Sequence, residues 1–184
     1  MSRASAATRP STLAGHGAEL AGYLDLASLG AVTAKSLSVD PWSGNPAPRV
    51  HGTPAGMLNS VGLQGPGIEQ WLRTGLVELV DAGATVVASV WGSTVEDYRR
   101  AAAALVAGLD RTTPGVEGAV VGIEVNVSCP NHHDGGRMFA QSAPATAEVI
   151  AVVAEAVAPR RQVRPEFGLW AQLTPATADL VGIA

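Results

Sequence analysis

Along the chain, short apolar runs bounded by glycine alternate with longer stretches whose apolar residues recur at helical spacing. "GAVTAKS" (30–36), "GATVVASVWG" (83–92) and "GAVVGIEVNVS" (118–128) are short, β-branched runs that predict buried parallel strands. "FGLWAQLTP" (167–175) predicts a fourth. Helical spacing of Leu20, Tyr23, Leu24 and Leu26 predicts a helix over 17–30, with Gly30 as its cap. Trp71, Leu72, Leu76, Leu79 and Val80 do the same for 67–83, closed by Gly83. Residues 93–109 open with Ser93 or Thr94 as N-cap and Glu96 behind, the signature of a capping box. An Ala/Val helix follows over 143–157, and "TADLVGIA" (177–184) starts one more.

This order of strand and helix units implies an α/β fold with a parallel sheet, doubly wound or closed as a barrel. A complete (β/α)8 TIM barrel takes about 250 residues, so four strands amount to about half of one. Residues 37–67 interrupt the pattern with Pro41, Pro46, Pro48, Pro54 and Pro66 and predict a long functional loop. Residues 1–14 do not read as a strand, and the expected division is an atypical start followed by a partial barrel over 15–184.

Composition narrows the picture. The 184 residues carry a formal charge of −4, and 47% are hydrophobic against 15% charged. That suits a packed core and offers no basic stripe for nucleic acid. No apolar run approaches the roughly 18 residues of a membrane span. The start lacks acids before Glu19 and also lacks the apolar stretch of a secretory signal. One cysteine forms no internal disulfide, so the expected compartment is the reducing cytoplasm.

That cysteine, Cys129, and the one lysine, Lys35, each follow a β-branched run. In "IEVNVSC", Ile123, Val125 and Val127 alternate with Glu124, Asn126 and Ser128. Were the strand part of a barrel, Asn126 and Ser128 would face inward at its C-terminal mouth, where barrel enzymes place their chemistry. Cys129 follows on the loop. A thiol is a usable proton acceptor near neutral pH without a metal, although most isolated cysteines are small buried hydrophobes. Lys35 offers a compact point charge at a strand end; its bland reading is a solvated loop lysine. "CPNHHD" groups Cys129 with His132, His133 and Asp134, but that crowding suits few tetrahedral metal sites, and no metal is expected.

"GNPAPR", "TPAGMLNSVGLQGPG" and "EVNVSCPN", in this order, resemble the dihydroorotate dehydrogenases, flavin enzymes of pyrimidine (UMP) synthesis. The resemblance runs from about Gly15 to the C-terminus. It implies a (β/α)8 barrel with FMN at its C-terminal mouth. It also implies oxidation of dihydroorotate to orotate, in which a base removes the C5 proton while a hydride leaves C6. By the same resemblance, Cys129 is the catalytic base, and a cysteine there marks the class 1 enzymes. Lys35 contacts flavin and substrate. Asn59, Gly62 and Leu63 bind the orotate carboxylate. Asn126 and Asn131 bind the pyrimidine, Asn126 also touching the flavin. Gln172 stands where the family has a flavin-contacting lysine. The wording is nearest to class 1B, whose partner is an iron–sulfur and FAD subunit that passes electrons to NAD⁺. The later strands, the second part of the orotate site and the phosphate-holding loops are expected beyond "TADLVGIA". The alternative is a non-catalytic half barrel with no flavin, prone to self-association through its open edges. Related flavin barrels fit less well: dihydropyrimidine dehydrogenase should differ after "SCP", and dihydrouridine synthases act on tRNA.

Overall fold

The computed structural model of the chain describes residues 8–9, 15–112, 115–129, 138–175 and 179–184. Its frame is a five-stranded, wholly parallel sheet. The strands are β1 (Thr8–Arg9), β2 (Ala31–Thr33), β5 (Val86–Val90), β6 (Val120–Asn126) and β7 (Gly168–Gln172), adjacent in that order. The remaining strands, β3 (Val50–Thr53) and β4 (Gly56–Asn59), make a separate antiparallel hairpin. The helices are α1 (Ile68–Arg73), α2 (Gly75–Asp81), α3 (Val95–Leu109), α4 (Val116–Ala119), α5 (Ala143–Val163) and α6 (Leu180–Ile183).

Alternation along the strands divides the sheet into two faces. Val86, Ala88 and Val90 of β5 and Ile123 and Val125 of β6 are sealed in one hydrophobic core. So are Trp71 and Leu72 of α1, Leu76 of α2, Leu105 and Leu109 of α3, and Val149, Val153 and Val157 of α5. Burying a Leu or Val side chain contributes roughly 1.5–3 kcal/mol, so this helix-covered face holds the layers together. The opposite face presents Ser89, Glu124 and Trp170 at one register level and Asn126 and Gln172 at the next. The arrangement is part of a barrel wall, open along β7, which has β6 as its one neighbour among the described residues.

Several sequence expectations need correction. Residues 17–30 form turns and a single 3-10 turn, Leu26–Ser28, in place of a helix. The Glu19 carboxylate accepts the His16 and Gly17 N–H groups, and Asp25 accepts that of Ala27. The short Asp25 side chain favours a local turn over helical bonds. Leu26 is still buried, whereas Tyr23 is 87% exposed. The loop over 37–67 contains the β3–β4 hairpin, and residues 8–9 do pair with Ala31 and Val32. The helix over 67–83 breaks at Thr74 (φ −124°). The partner in the capping box of α3 is Asp97, not Glu96. Gly83 closes α2 as expected, at φ +76°, its N–H bonded to Val80 O and that of Ala84 to Leu79 O, a Schellman motif.

Candidate active site at the C-terminal ends of the strands

β6 delivers the central side chain. Asn126 is 3% exposed, and all of its amide capacity is used. Nδ2 donates to Ser36 Oγ at 2.8 Å and to Cys129 Sγ at 3.1 Å. Oδ1 accepts from the Ser128 backbone N–H at 3.1 Å and from its hydroxyl at 2.9 Å. The Asn126 carbonyl is held from α3 by the Tyr98 hydroxyl at 2.8 Å. Four hydrogen bonds fix the amide, so the group facing the Cys129 sulfur is an N–H donor.

Cys129 is half-buried, and burial pushes its thiol above the ordinary range while the Asn126 bond opposes the shift. Burial likewise raises the Glu124 carboxyl, against the Ser89 hydroxyl that stabilises its charge. Gln172 pairs in register with Asn126 across β6 and β7, and its Oε1 is buried with no partner among the described residues.

Lys35, two residues beyond β2, reaches the neighbouring loop, where its Nζ donates to Gln64 O at 2.9 Å. Burial lowers its affinity for the proton, Arg49 lowers it further and Glu19 opposes both. Lys35, His16, Trp42, Ser43, Gln64 and Gly65 line a cleft of about 990 Å³. The loop forming its wall is stitched in place. Trp42 Nε1 donates to Gly62 O at 2.9 Å, and Asn45 Nδ2 to Ser60 O at 2.8 Å. Gly62 and Leu63 both adopt left-handed backbone, φ 73° and 59°. An added Cβ at Gly62 would sit 2.8 Å from Asn45 Cγ, so the turn requires glycine.

Of the residues singled out in the sequence, Asn126 and Cys129 therefore share a hydrogen bond, and Gln172 stands level with Asn126 on the neighbouring strand. Lys35 is joined through Gln64 to the loop of Gly62 and Leu63. Asn59 ends β4, exposed, and makes no hydrogen bond to either group among the described residues. Asn131, like His132, His133 and Asp134, lies outside the described residues. Sequence reasoning passed over Ser36 and Ser89. Their signal was a polar residue inside an apolar run, "VVASV" and the position after Lys35.

A sequence model of the family described as dihydroorotate dehydrogenase matches residues 8–184. The chain belongs to the dihydroorotate dehydrogenase family. A relative from Geobacter sp. (strain M21), named dihydroorotate dehydrogenase B (NAD(+)), catalytic subunit, is 44% identical over 139 residues, 76% of this chain and 43% of the relative. One of the same name from Desulforudis audaxviator (strain MP104C) is 41% identical over 172 residues, 92% and 50% of the two chains. The chain thus spans about half the length of the curated dihydroorotate dehydrogenases it matches. A crystal structure of dihydroorotate dehydrogenase from Eimeria tenella in complex with ferulenol aligns with a TM-score of 0.57 at 16% identity. It covers 83% of this chain and 45% of that one, and it supports the barrel-type fold. No helix among the described residues is long and apolar enough to cross a membrane.

Proposed function

We propose that this chain carries the proton-abstracting part of an FMN-dependent site that oxidises dihydroorotate to orotate. The observation that supports this most is the Asn126 N–H directed at the Cys129 sulfur, 3.1 Å away, at the C-terminal end of a parallel strand. A hydrogen bond to the charged form favours a thiolate, which is the form that can accept a proton from substrate carbon.

The roles divide by chemistry. Cys129 removes the C5 proton. Lys35, with Gly62, Leu63 and Asn59 from the adjoining loop and strand, meets the carboxylate, and Asn126 and Asn131 meet the amide edges of the pyrimidine. Lys35, Asn126 and Gln172 hold the flavin. The donor set fits in part: the Lys35 ammonium and the Gln172 carboxamide, whose Oε1 is a buried acceptor without a partner among the described residues, match a ring edge of carbonyls and N–H groups, whereas Asn126 meets a ring only by exchanging one of its four present hydrogen bonds. FMN, when bound, supplies the hydride acceptor. Lys35 also places positive charge near a flavin that gains electrons. The relatives' designation as catalytic subunits of a dihydroorotate dehydrogenase B (NAD(+)) supports a partner subunit; in this reading the partner is a cytoplasmic iron–sulfur and FAD subunit that passes electrons to NAD⁺.

The competing reading is a half barrel that binds no flavin. The 47% exposure of Trp170 on the strand-lined inner face favours it. The deciding measurement is the visible absorbance of the purified 184-residue chain, before and after FMN and then dihydroorotate. A bound-flavin spectrum that bleaches on dihydroorotate supports the enzyme. A colourless protein after FMN and desalting leaves the half barrel.

A further inference from the structure

The hydrogen bonds around Asn126 do not end at Ser36. Ser36 Oγ receives an N–H from Asn126, which leaves its own proton to donate, and Ser89 Oγ is 2.9 Å away. Both serines are sealed, Ser36 at 2% and Ser89 at 0% exposure. Ser89 in turn stands level with Glu124 in the β5–β6 register and stabilises its carboxylate. The groups come from the segment after β2 and from β5 and β6, far apart in sequence. Asn126 donates to Ser36, Ser36 and Ser89 share a hydrogen bond in which either hydroxyl can donate, and Glu124 stands beside Ser89 in register. Chains of this kind polarise their members when buried.

We propose that Ser36, Ser89 and Glu124 are positioning residues that, through Asn126, hold an N–H donor at the Cys129 sulfur. None of the three touches Cys129. Removing the acceptor at Ser36 leaves an Asn126 N–H buried and unmet, and the amide is then free to move toward other partners at the expense of the sulfur bond. The titratable groups facing this network among the described residues are Tyr98 from α3 and Glu124 from β6. Tyr98 is neutral throughout the working range because burial pushes its phenol far up. Lys35, from the β2 side, is turned to Gln64. The catalytic meaning of the network rests on the reading of Cys129 as base, but its existence does not.

The chain's single cysteine allows a direct test without flavin. The rate of iodoacetamide alkylation of Cys129 is measured against pH in the wild-type chain and in Ser36→Ala, Ser89→Ala and Ser36→Thr. Ser36→Ala and Ser89→Ala should move the midpoint upward by about one pH unit, and Ser36→Thr, which keeps the hydroxyl, should stay with wild type. Two serine positions are used so that misfolding of one variant, seen by circular dichroism, leaves the other to decide. Coincident midpoints in all four proteins overturn the proposal, as does an equal shift in Ser36→Thr and Ser36→Ala. Dihydroorotate-driven bleaching of flavin in Cys129→Ser addresses the base itself. A full rate there rejects the base while leaving the alkylation result standing.

Discussion

At Glu124 a single carboxyl joins stability to pH. Its side chain is partly buried in a strand, with Oε1 unpartnered and Ser89 as its one identified support. Burial raises its folded-state pKa above the unfolded value. The folded state therefore binds the proton more tightly, and the associated stability is present at low pH and lost as pH rises through the raised pKa. Glu124→Gln removes the titration. The variant's stability relative to wild type should increase from about pH 4 to about pH 7, as read by urea denaturation at both. A constant difference would count against a buried, charge-disfavouring site. Cys129 follows the same logic in activity: with its thiol raised, flavin reduction by dihydroorotate should speed up as pH rises from about 6 to about 9. A flat profile contradicts a thiolate base.

Among the elements, α2 and its cap show how firmly local rules hold here. Gly83 lies at φ +76°, and a Cβ there would stand 3.0 Å from Ala27 Cβ in the turn segment. Gly83→Ala should destabilise the chain by about 1–2 kcal/mol, measured by thermal or urea unfolding; an unchanged midpoint would mean the motif relaxes freely. This cap was legible because left-handed closure is a local demand that glycine answers. The segment over 17–30 was not. Its leucines carry helical spacing, but Glu19 and Asp25 satisfy backbone N–H groups within turns, and Gly17 meets the Glu78 side chain so closely that a Cβ would lie 2.2 Å from its Oε2. Spacing records which residues are buried, and here it recorded the burial of Leu26 without the helix.

For the whole molecule, the parallel sheet is covered by helices on one face and carries its polar and aromatic groups on the other. β7 ends the sheet with a row of backbone groups unpaired on one side among the described residues, beside Trp170 at 47% exposure. Exposed sheet edges recruit further strands. Sedimentation velocity of the 184-residue chain should show a mass that grows with concentration; a strictly monomeric chain across the micromolar range would be evidence against edge pairing.

The sequence by itself determined the α/β class, the positions of the four main strands, the glycine cap of α2 and the Cys129–Asn126 neighbourhood. Each depends on residues close together in the chain, where period, propensity and spacing act directly. The tertiary structure alone decided that Ser36 and Ser89, 53 positions apart, share a hydrogen bond, and that Asn126 reaches back 90 positions to Ser36. It also set Gln172 beside Asn126 and tied Lys35 to the loop at Gln64. Such contacts follow from strand order and register, which no local pattern encodes, because a serine in a strand looks the same whether or not its partner lies across the sheet.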